Sequence, residues 1–157
     1  MKIQADSAQV RFPPPFVYLG FLLLGFGAER WIGPRTLGIA NPWLWAAGAL
    51  LLLAGAWLVL AAAGRFKRAG TPPPPWQATT TIVSGGIYGL TRNPMYVGMA
   101  LIYAGLAVGL DGPIALLLLI PVMAVIRTQV IAREERYLES KFGDDYRAYK
   151  GRVRRWI

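Results

Sequence analysis

The chain has 157 residues, of which 55% are hydrophobic and only 16% are charged, and its mean hydropathy is +0.40. This composition is too apolar for an ordinary soluble domain and indicates a single membrane domain covering 1–157. The chain has no cysteine and no histidine, which excludes disulfides, thiol nucleophiles, imidazole catalysis and the usual metal ligands, so we expect no metal site. The net charge of +9 is expected from basic residues that flank membrane spans rather than from nucleic-acid binding.

The apolar residues fall into four charge-free blocks, which is the pattern of a polytopic helical membrane protein. We therefore predict an all-α fold with about four transmembrane helices. In chain order the prediction is a polar lead-in at 1–15, two spans (16–28 and 43–63) within 16–63, a cytoplasmic connection at 64–92, and a hairpin and tail at 93–157.

The last two spans cover 94–110 and begin at 113–126, and only a Gly/Pro turn separates them. This spacing predicts a tight helical hairpin. The helix of the fourth span should continue to Phe142, where Gly143 would stop it. We expect a C-terminal interfacial helix after that stop, lying on an anionic membrane surface through one apolar stripe, formed by Tyr146, Tyr149, Val153 and Trp156.

Lysine and arginine residues determine the predicted orientation, because they concentrate on the cytoplasmic side of membrane proteins. The 64–92 connection and the tail after residue 126 are rich in basic residues, whereas the 29–42 connection carries only Arg30 and Arg35. We expect both termini and the 64–92 connection to face the cytoplasm, in a multi-pass protein of the inner (cytoplasmic) membrane. The expected partner is membrane lipid, and the sequence leaves the oligomeric state open.

The run 86–96 joins the polar connection to the third span. Pro94 suits the first turn of a helix, and the free backbone N–H groups of that turn favour an anion beside Arg92 and Asn93. A simple helix entry explains the same residues without a ligand, with Arg92 snorkelling to the surface and Tyr96 at the membrane interface.

Two adjacent carboxylates, Glu134 and Glu135, follow the fourth span among apolar positions of the continuing helix. Carboxylates in such a place need a cationic partner or a ligand ammonium. The alternative is pairing on a solvated face with nearby basic residues, namely Arg127, Arg133, Arg136 and Lys141. Together with the anion-favouring run before the third span, the two carboxylates suit a zwitterionic ligand such as an amino acid headgroup.

Three motifs together resemble those of a known family: Arg92-Asn93-Pro94-Met95-Tyr96-Val97-Gly98, Arg133-Glu134-Glu135-Arg136-Tyr137-Leu138 and Phe142-Gly143-Asp144-Asp145-Tyr146-Arg147-Ala148-Tyr149. Over residues 75–153 the chain resembles the isoprenylcysteine carboxyl methyltransferase and phospholipid methyltransferase superfamily. The resemblance implies an integral-membrane methyltransferase that uses S-adenosylmethionine. It also implies a cytoplasmic cofactor pocket beside the last two spans, with a lipid-like acceptor entering from the bilayer.

The resemblance assigns cofactor binding to nine residues: Tyr88, Arg92, Asn93, Pro94, Tyr96, Glu134, Glu135, Tyr146 and Tyr149. It adds Arg152 to a tail that closes the pocket. We expect the catalytic residues to be Glu135, Arg133 and Arg127, with the two arginines orienting the acceptor. The family often has His where this chain has Asn93, and an amide can keep a hydrogen bond but cannot carry a charge.

Methyl transfer from a sulfonium depends mainly on positioning, so it suits a chain without His or Cys. The expected acceptor is a lipid-like or small hydrophobic molecule with a carboxylate, amine or thiol, and an amine would need a Glu as base. Two alternatives stand beside this interpretation. One is an NADPH-dependent enzyme that resembles membrane sterol reductases, and the other is a non-enzymatic membrane scaffold.

Overall fold

The computed structural model describes residues 4–33 and 36–157, and every regular element in that part of the chain is helical. Arg35, one of the two basic residues counted in the 29–42 connection, lies outside the described residues. The described elements are, in chain order, α1 (Pro14–Ile32), α2 (Asn41–Arg68), a 3₁₀ helix (Gly86–Gly89), α3 (Pro94–Gly109), α4 (Pro113–Val125), a π turn (Ile126–Ile131), α5 (Ala132–Phe142) and α6 (Asp144–Arg152).

Proline determines where four of these helices begin. Pro14, Pro42, Pro94 and Pro113 each occupy one of the first two positions of α1, α2, α3 and α4. The fixed φ of proline suits a first turn, where the missing N–H has no intrahelical partner to lose. The helix starts predicted at Pro94 and Pro113 are therefore confirmed.

Two helical stretches are long and apolar enough to cross a membrane by length and composition, Asn41–Arg68 and Pro113–Arg152. Only 17% and 28% of their most apolar windows are buried within the protein, so most of that surface has no protein cover. A large uncovered apolar surface is unfavourable in water and suits contact with lipid. The apolar part of the second stretch is α4, and the charged helices α5 and α6 lie beyond it. α3 is a shorter apolar helix, and the four-span topology with its membrane hairpin stays a prediction.

Small residues let α2 and α3 pack closely along their length. A Cβ atom added at Gly55 would lie 2.6 Å from the carbonyl oxygen of Gly98, and one at Gly105 would lie 2.8 Å from that of Gly48. A side chain at these positions would push the two helices apart, so glycine is required for this approach. α1 packs mainly against α4, which places α3 and α4 between the two outer helices.

Polar contacts fasten the end of the bundle where α1 ends and α4 begins. Glu29 Oε1 accepts hydrogen bonds from the backbone N–H groups of Ile114 at 2.7 Å and Ala115 at 3.2 Å. The carboxylate thereby satisfies two free N–H groups of α4 and meets the positive end of its dipole. The hydroxyl of Tyr103 donates to the carbonyl oxygen of Ala115 at 2.7 Å, which ties α3 to the same turn.

The helix that begins at Pro113 continues to Phe142 as predicted, and Gly143 ends it with a φ of 54°. The π turn between α4 and α5 was not foreseen from the sequence. Such a turn holds one more residue than an α-helical turn, so it rotates the residues that follow relative to α4. This rotation influences which side of α5 faces the start of α3.

The predicted C-terminal stripe is wrong in two respects. α6 ends at Arg152 and Val153 is extended, so Trp156 does not share a helix face with Tyr146. Tyr146 and Tyr149 are only 2% and 5% exposed, so they are buried in the protein instead of lying on a lipid surface. The physical reason is tertiary, because backbone and side-chain groups of the segment before α3 bind the tail and hold it in an extended conformation.

Candidate functional site

The segment before α3 meets α5 at the charged end of the bundle. Arg92 Nη2 donates to Glu135 Oε1 at 2.8 Å, and both side chains are only 9% exposed. Arg92 Nη1 donates to the carbonyl oxygens of Lys150 at 2.9 Å and Val153 at 2.8 Å. The two polar patches that the sequence singled out are therefore joined by a direct ion pair.

Glu135 has a second cationic partner, Arg155 of the C-terminal tail. Arg155 Nε donates to Oε1 of this carboxylate at 3.0 Å, and Nη2 donates to Oε2 at 2.6 Å. Burial acts to raise the pKa of Glu135, but hydrogen bonds from Arg155 and Arg92 outweigh it and hold the pKa below its usual value. Glu135 is therefore an ionised, fully engaged group and a poor proton acceptor.

The neighbouring carboxylate of Glu134 has a different environment. Its Oε1 accepts a hydrogen bond from the hydroxyl of Tyr96 at 2.7 Å, and no cation pairs with it among the described residues. Burial raises the pKa of Glu134 to about 7, the hydrogen bond from Tyr96 partly offsets this rise, and the charge of Glu135 adds to it. Glu134 can therefore exchange a proton near neutral pH or receive a cationic group of a ligand.

Three tyrosines stand beside these charged groups. The hydroxyl of Tyr149 donates to the carbonyl oxygen of Tyr88 at 2.7 Å, and the ring of Tyr88 meets that of Phe66 edge to face at 5.5 Å. Burial raises the pKa of Tyr149 to about 12 and also raises the pKa values of Tyr88 and Tyr146. All three therefore remain neutral at physiological pH, and their rings offer faces that attract a cation.

Except for Arg155, the residues that carry these charges and rings line one cavity, whose empty space is about 830 Å³ when the open solvent at its mouth is included. The rest of its wall is largely apolar and comes from the N-terminal segment, the end of α2, the connection between α2 and the 3₁₀ helix, the first turn of α3 and the middle of α5: Ala8, Phe66, Pro72, Pro73, Pro74, Pro75, Ile82, Val83, Met95 and Leu138. The cavity thus combines a charged and aromatic wall with an apolar one.

The structure brings most of the predicted cofactor-binding residues together. Eight of the nine line the cavity, and the ninth, Pro94, is fully buried behind the wall at the start of α3. Among the predicted catalytic residues, Glu135 lines the cavity, whereas Arg127 is exposed and Arg133 is half-buried outside the lining. Arg152 is exposed and borders a second groove instead.

Sequence reasoning missed two contributors to this site. One is Arg155, which belongs to a run of several basic residues. Nothing in the sequence distinguishes it from its neighbours as the partner of Glu135. The other is the N-terminal lead-in: the hydroxyl of Tyr137 donates to the carbonyl oxygen of Asp6 at 3.2 Å, which places Ala8 in the cavity wall. The contact of Tyr137 joins residues more than a hundred positions apart, and Arg155 lies in irregular backbone. Sequence periodicity predicts neither kind of contact.

The family described as phospholipid methyltransferase matches residues 43–145. The chain belongs to the phospholipid methyltransferase family. This stretch runs from the start of α2 to the start of α6 and includes Arg92, Glu134 and Glu135. The superfamily resemblance noted in the sequence is confirmed, and membership supports a membrane methyltransferase.

Two curated relatives match part of the chain. An uncharacterized protein of Haemophilus influenzae is 49% identical over 63 residues, which are 40% of this chain and 100% of the relative. Protein-S-isoprenylcysteine O-methyltransferase of Schizosaccharomyces pombe is 38% identical over 72 residues, which are 46% of this chain and 30% of that enzyme. The match thus spans less than a third of the yeast enzyme. No solved structure matches the chain significantly.

Proposed function

We propose that this chain is an integral-membrane methyltransferase that transfers a methyl group from S-adenosylmethionine to a lipid-like or small hydrophobic acceptor at the cytoplasmic membrane face. The observation that carries the proposal is that the motif before α3 and the motif in α5 meet at one cavity wall. Arg92 donates to Glu135 at 2.8 Å, and Tyr96 donates to Glu134 at 2.7 Å. The family match favours methyl transfer over the nicotinamide-dependent and scaffold alternatives.

The residues of the cavity fit the charged parts of S-adenosylmethionine. Arg92 Nε is buried and has no hydrogen-bond partner among the described residues, whereas Nη1 donates two hydrogen bonds and Nη2 donates one. A ligand carboxylate would add an acceptor beside this guanidinium, at the positive end of α3. Glu134, which has no cationic partner in the described part of the chain, supplies a carboxylate for the ligand ammonium, and a zwitterion needs this arrangement.

When bound, the cofactor would supply a methyl group on a sulfonium, which carries its own leaving group. The chain's part is to hold and orient. Glu134 and Arg92 would fix the amino acid portion, and the neutral rings of Tyr88, Tyr146 and Tyr149 would line the region around the positive charge and exclude water from it.

The acceptor is proposed to enter along the apolar wall formed by the proline run and Leu138. If the acceptor is an amine that must lose a proton, Glu134 suits the role of base better than the predicted Glu135, because its pKa of about 7 lies near neutral pH and Glu135 is occupied by two arginines. In that case Glu134 would serve the acceptor instead of the ligand ammonium. A carboxylate or thiol acceptor would need no such base once ionised. The acceptor-orienting role of Arg127 and Arg133 stays a prediction, since neither borders the cavity.

Calorimetric titration of S-adenosylhomocysteine into the detergent-solubilised protein tests the proposal. We expect saturable binding to the unchanged chain and binding at least about tenfold weaker to Glu134→Gln, because a charge-assisted contact to the ligand ammonium is lost. The matched control is Glu139→Gln on the same helix, since Glu139 pairs with Lys150 at 3.0 Å and does not line the cavity.

The control variant should bind like the unchanged chain. An absence of saturable binding to the unchanged chain would remove the proposal. Incubation of membranes with methyl-labelled S-adenosylmethionine, followed by identification of the labelled product, would then name the acceptor.

A further inference from the structure

The C-terminal tail is clamped to the segment that precedes α3 by main-chain contacts. The backbone N–H of Arg92 donates to the carbonyl oxygen of Arg154 at 2.9 Å. The carbonyl oxygen of Arg155 accepts from Thr91 Oγ1 at 3.0 Å and from Asn93 Nδ2 at 2.9 Å. Three consecutive residues before α3 therefore hold two consecutive residues of the tail, and Asn93 is used in this clamp.

The clamp aims the side chain of Arg155 at Glu135. Arg155 donates to both carboxylate oxygens, and Oε2 has no other hydrogen-bond donor among the described residues. A two-pronged guanidinium contact fixes the plane of a carboxylate as well as its position. The same carboxylate anchors Nη2 of Arg92, so Arg155 fixes the group that in turn fixes Arg92.

Arg155 itself does not line the cavity, whereas Glu135 and Arg92 do. We propose that Arg155 is a positioning residue of the candidate site: held in place by Asn93 and Thr91, it orients Glu135 and thereby the guanidinium of Arg92 in the cavity wall. This inference rests on the proposed function, because the orientation matters for the amino acid portion of a bound cofactor. It also gives Asn93 a structural role that needs an amide donor and no charge.

Displacement of a positioned group by about 1 Å can weaken its action about a hundredfold. Loss of the Arg155 side chain leaves Oε2 of Glu135 without a donor and leaves Arg92 with a less rigid anchor. The expected effect is confined to ligands that contact Arg92, because among the described residues no hydrogen bond joins Arg155 to Tyr88, Tyr146 or Tyr149. A merely structural role would instead loosen the whole cavity.

Two ligands separate these outcomes. S-adenosylhomocysteine carries the amino acid portion, and methylthioadenosine keeps the nucleoside and the sulfur but lacks that portion. We expect Arg155→Met to bind S-adenosylhomocysteine about tenfold to a hundredfold more weakly than the unchanged chain and to bind methylthioadenosine equally well, measured by calorimetry. Arg155→Lys keeps the charge but not the planar two-donor geometry of the guanidinium. It should therefore lose less affinity for S-adenosylhomocysteine and none for methylthioadenosine.

The matched control is Arg154→Met, the adjacent tail residue, whose side chain is exposed and whose contact to Arg92 uses only its carbonyl oxygen. It should bind both ligands like the unchanged chain. Failure of the unchanged chain to bind S-adenosylhomocysteine refutes the proposed function. If the unchanged chain does bind S-adenosylhomocysteine, three results would overturn the inference alone. These are an unaltered affinity in Arg155→Met, equal losses of affinity for the two ligands in Arg155→Met, or an equal loss of affinity in Arg154→Met. If Arg155→Met does not fold, the same comparisons with Arg155→Lys decide the question.

Discussion

Glu134→Gln should stabilise the ligand-free protein at alkaline pH, although the same change should weaken ligand binding. The pKa of Glu134 rises from 4.5 to about 7 in the folded protein, because burial disfavours the charged carboxylate. A raised folded-state pKa means that the folded protein binds this proton more tightly than the unfolded chain does. The resulting stabilisation is fully present below pH 4.5 and is lost as the pH rises through about 7.

The size of the effect follows from that difference in pKa. Each pKa unit corresponds to about 1.4 kcal/mol, so ionisation of Glu134 costs up to about 3 kcal/mol of folding free energy above neutral pH. The cavity is open to solvent, which screens the charge, and the measured value is expected to lie below this limit. Glutamine keeps an oxygen that accepts from Tyr96 but carries no charge, so the variant avoids the cost.

Thermal unfolding in detergent, followed by tryptophan fluorescence at about pH 5 and about pH 8, measures the difference between the two proteins. For a chain of this size about 1 kcal/mol shifts the midpoint by about 2–4 °C. We expect the variant to unfold several degrees above the unchanged chain at about pH 8, and the two midpoints to converge at about pH 5. A difference that is the same at both pH values, or a less stable variant at about pH 8, would refute this account of Glu134.

Tyr96→Phe removes the hydroxyl that donates to Glu134, and this hydrogen bond lowers the pKa of the carboxylate. The midpoint of the pH dependence of S-adenosylhomocysteine binding should therefore move upward by about half to one pH unit. An unmoved or lowered midpoint in calorimetry would contradict this. Gly55→Ala places a Cβ atom 2.6 Å from the carbonyl oxygen of Gly98 and should destabilise the protein by about 1–3 kcal/mol, seen as a lower unfolding midpoint. Gly64→Ala on the same helix, with no atom within 4 Å of the added carbon, is the control and should not lower the midpoint.

Much of the helical framework could be predicted, because the signals for it are local. Charge-free apolar blocks predicted the four long helices, prolines fixed the starts at Pro94 and Pro113, and Gly143 marked the end of α5. The π turn could not be predicted, since its sequence is as apolar and as compatible with helix as its flanks. The lipid-facing stripe failed because hydrogen bonds to the segment before α3 pull the chain out of the helix after Arg152.

The candidate site was predictable as a set of residues but not as a set of contacts. Eight of nine predicted residues line one cavity, because both motifs lie where apolar helices meet polar chain. The sequence could not divide the work between Glu134 and Glu135, which are adjacent and chemically identical. Only the structure shows that Glu135 is occupied by Arg92 and Arg155, whereas Glu134 accepts from Tyr96 alone among the described residues.

The sequence by itself determined that this chain is helical and largely apolar, and that its charged chemistry lies at helix ends. These properties follow from composition and spacing, which act within a few residues. The tertiary structure alone decided the ion triad around Glu135, the clamp that Asn93 makes with the tail, and the apolar wall from the proline run and Ala8. Each of these features joins parts of the chain that are distant in sequence or irregular in backbone. Its contribution to stability therefore depends on how the helices pack and not on any local sequence pattern.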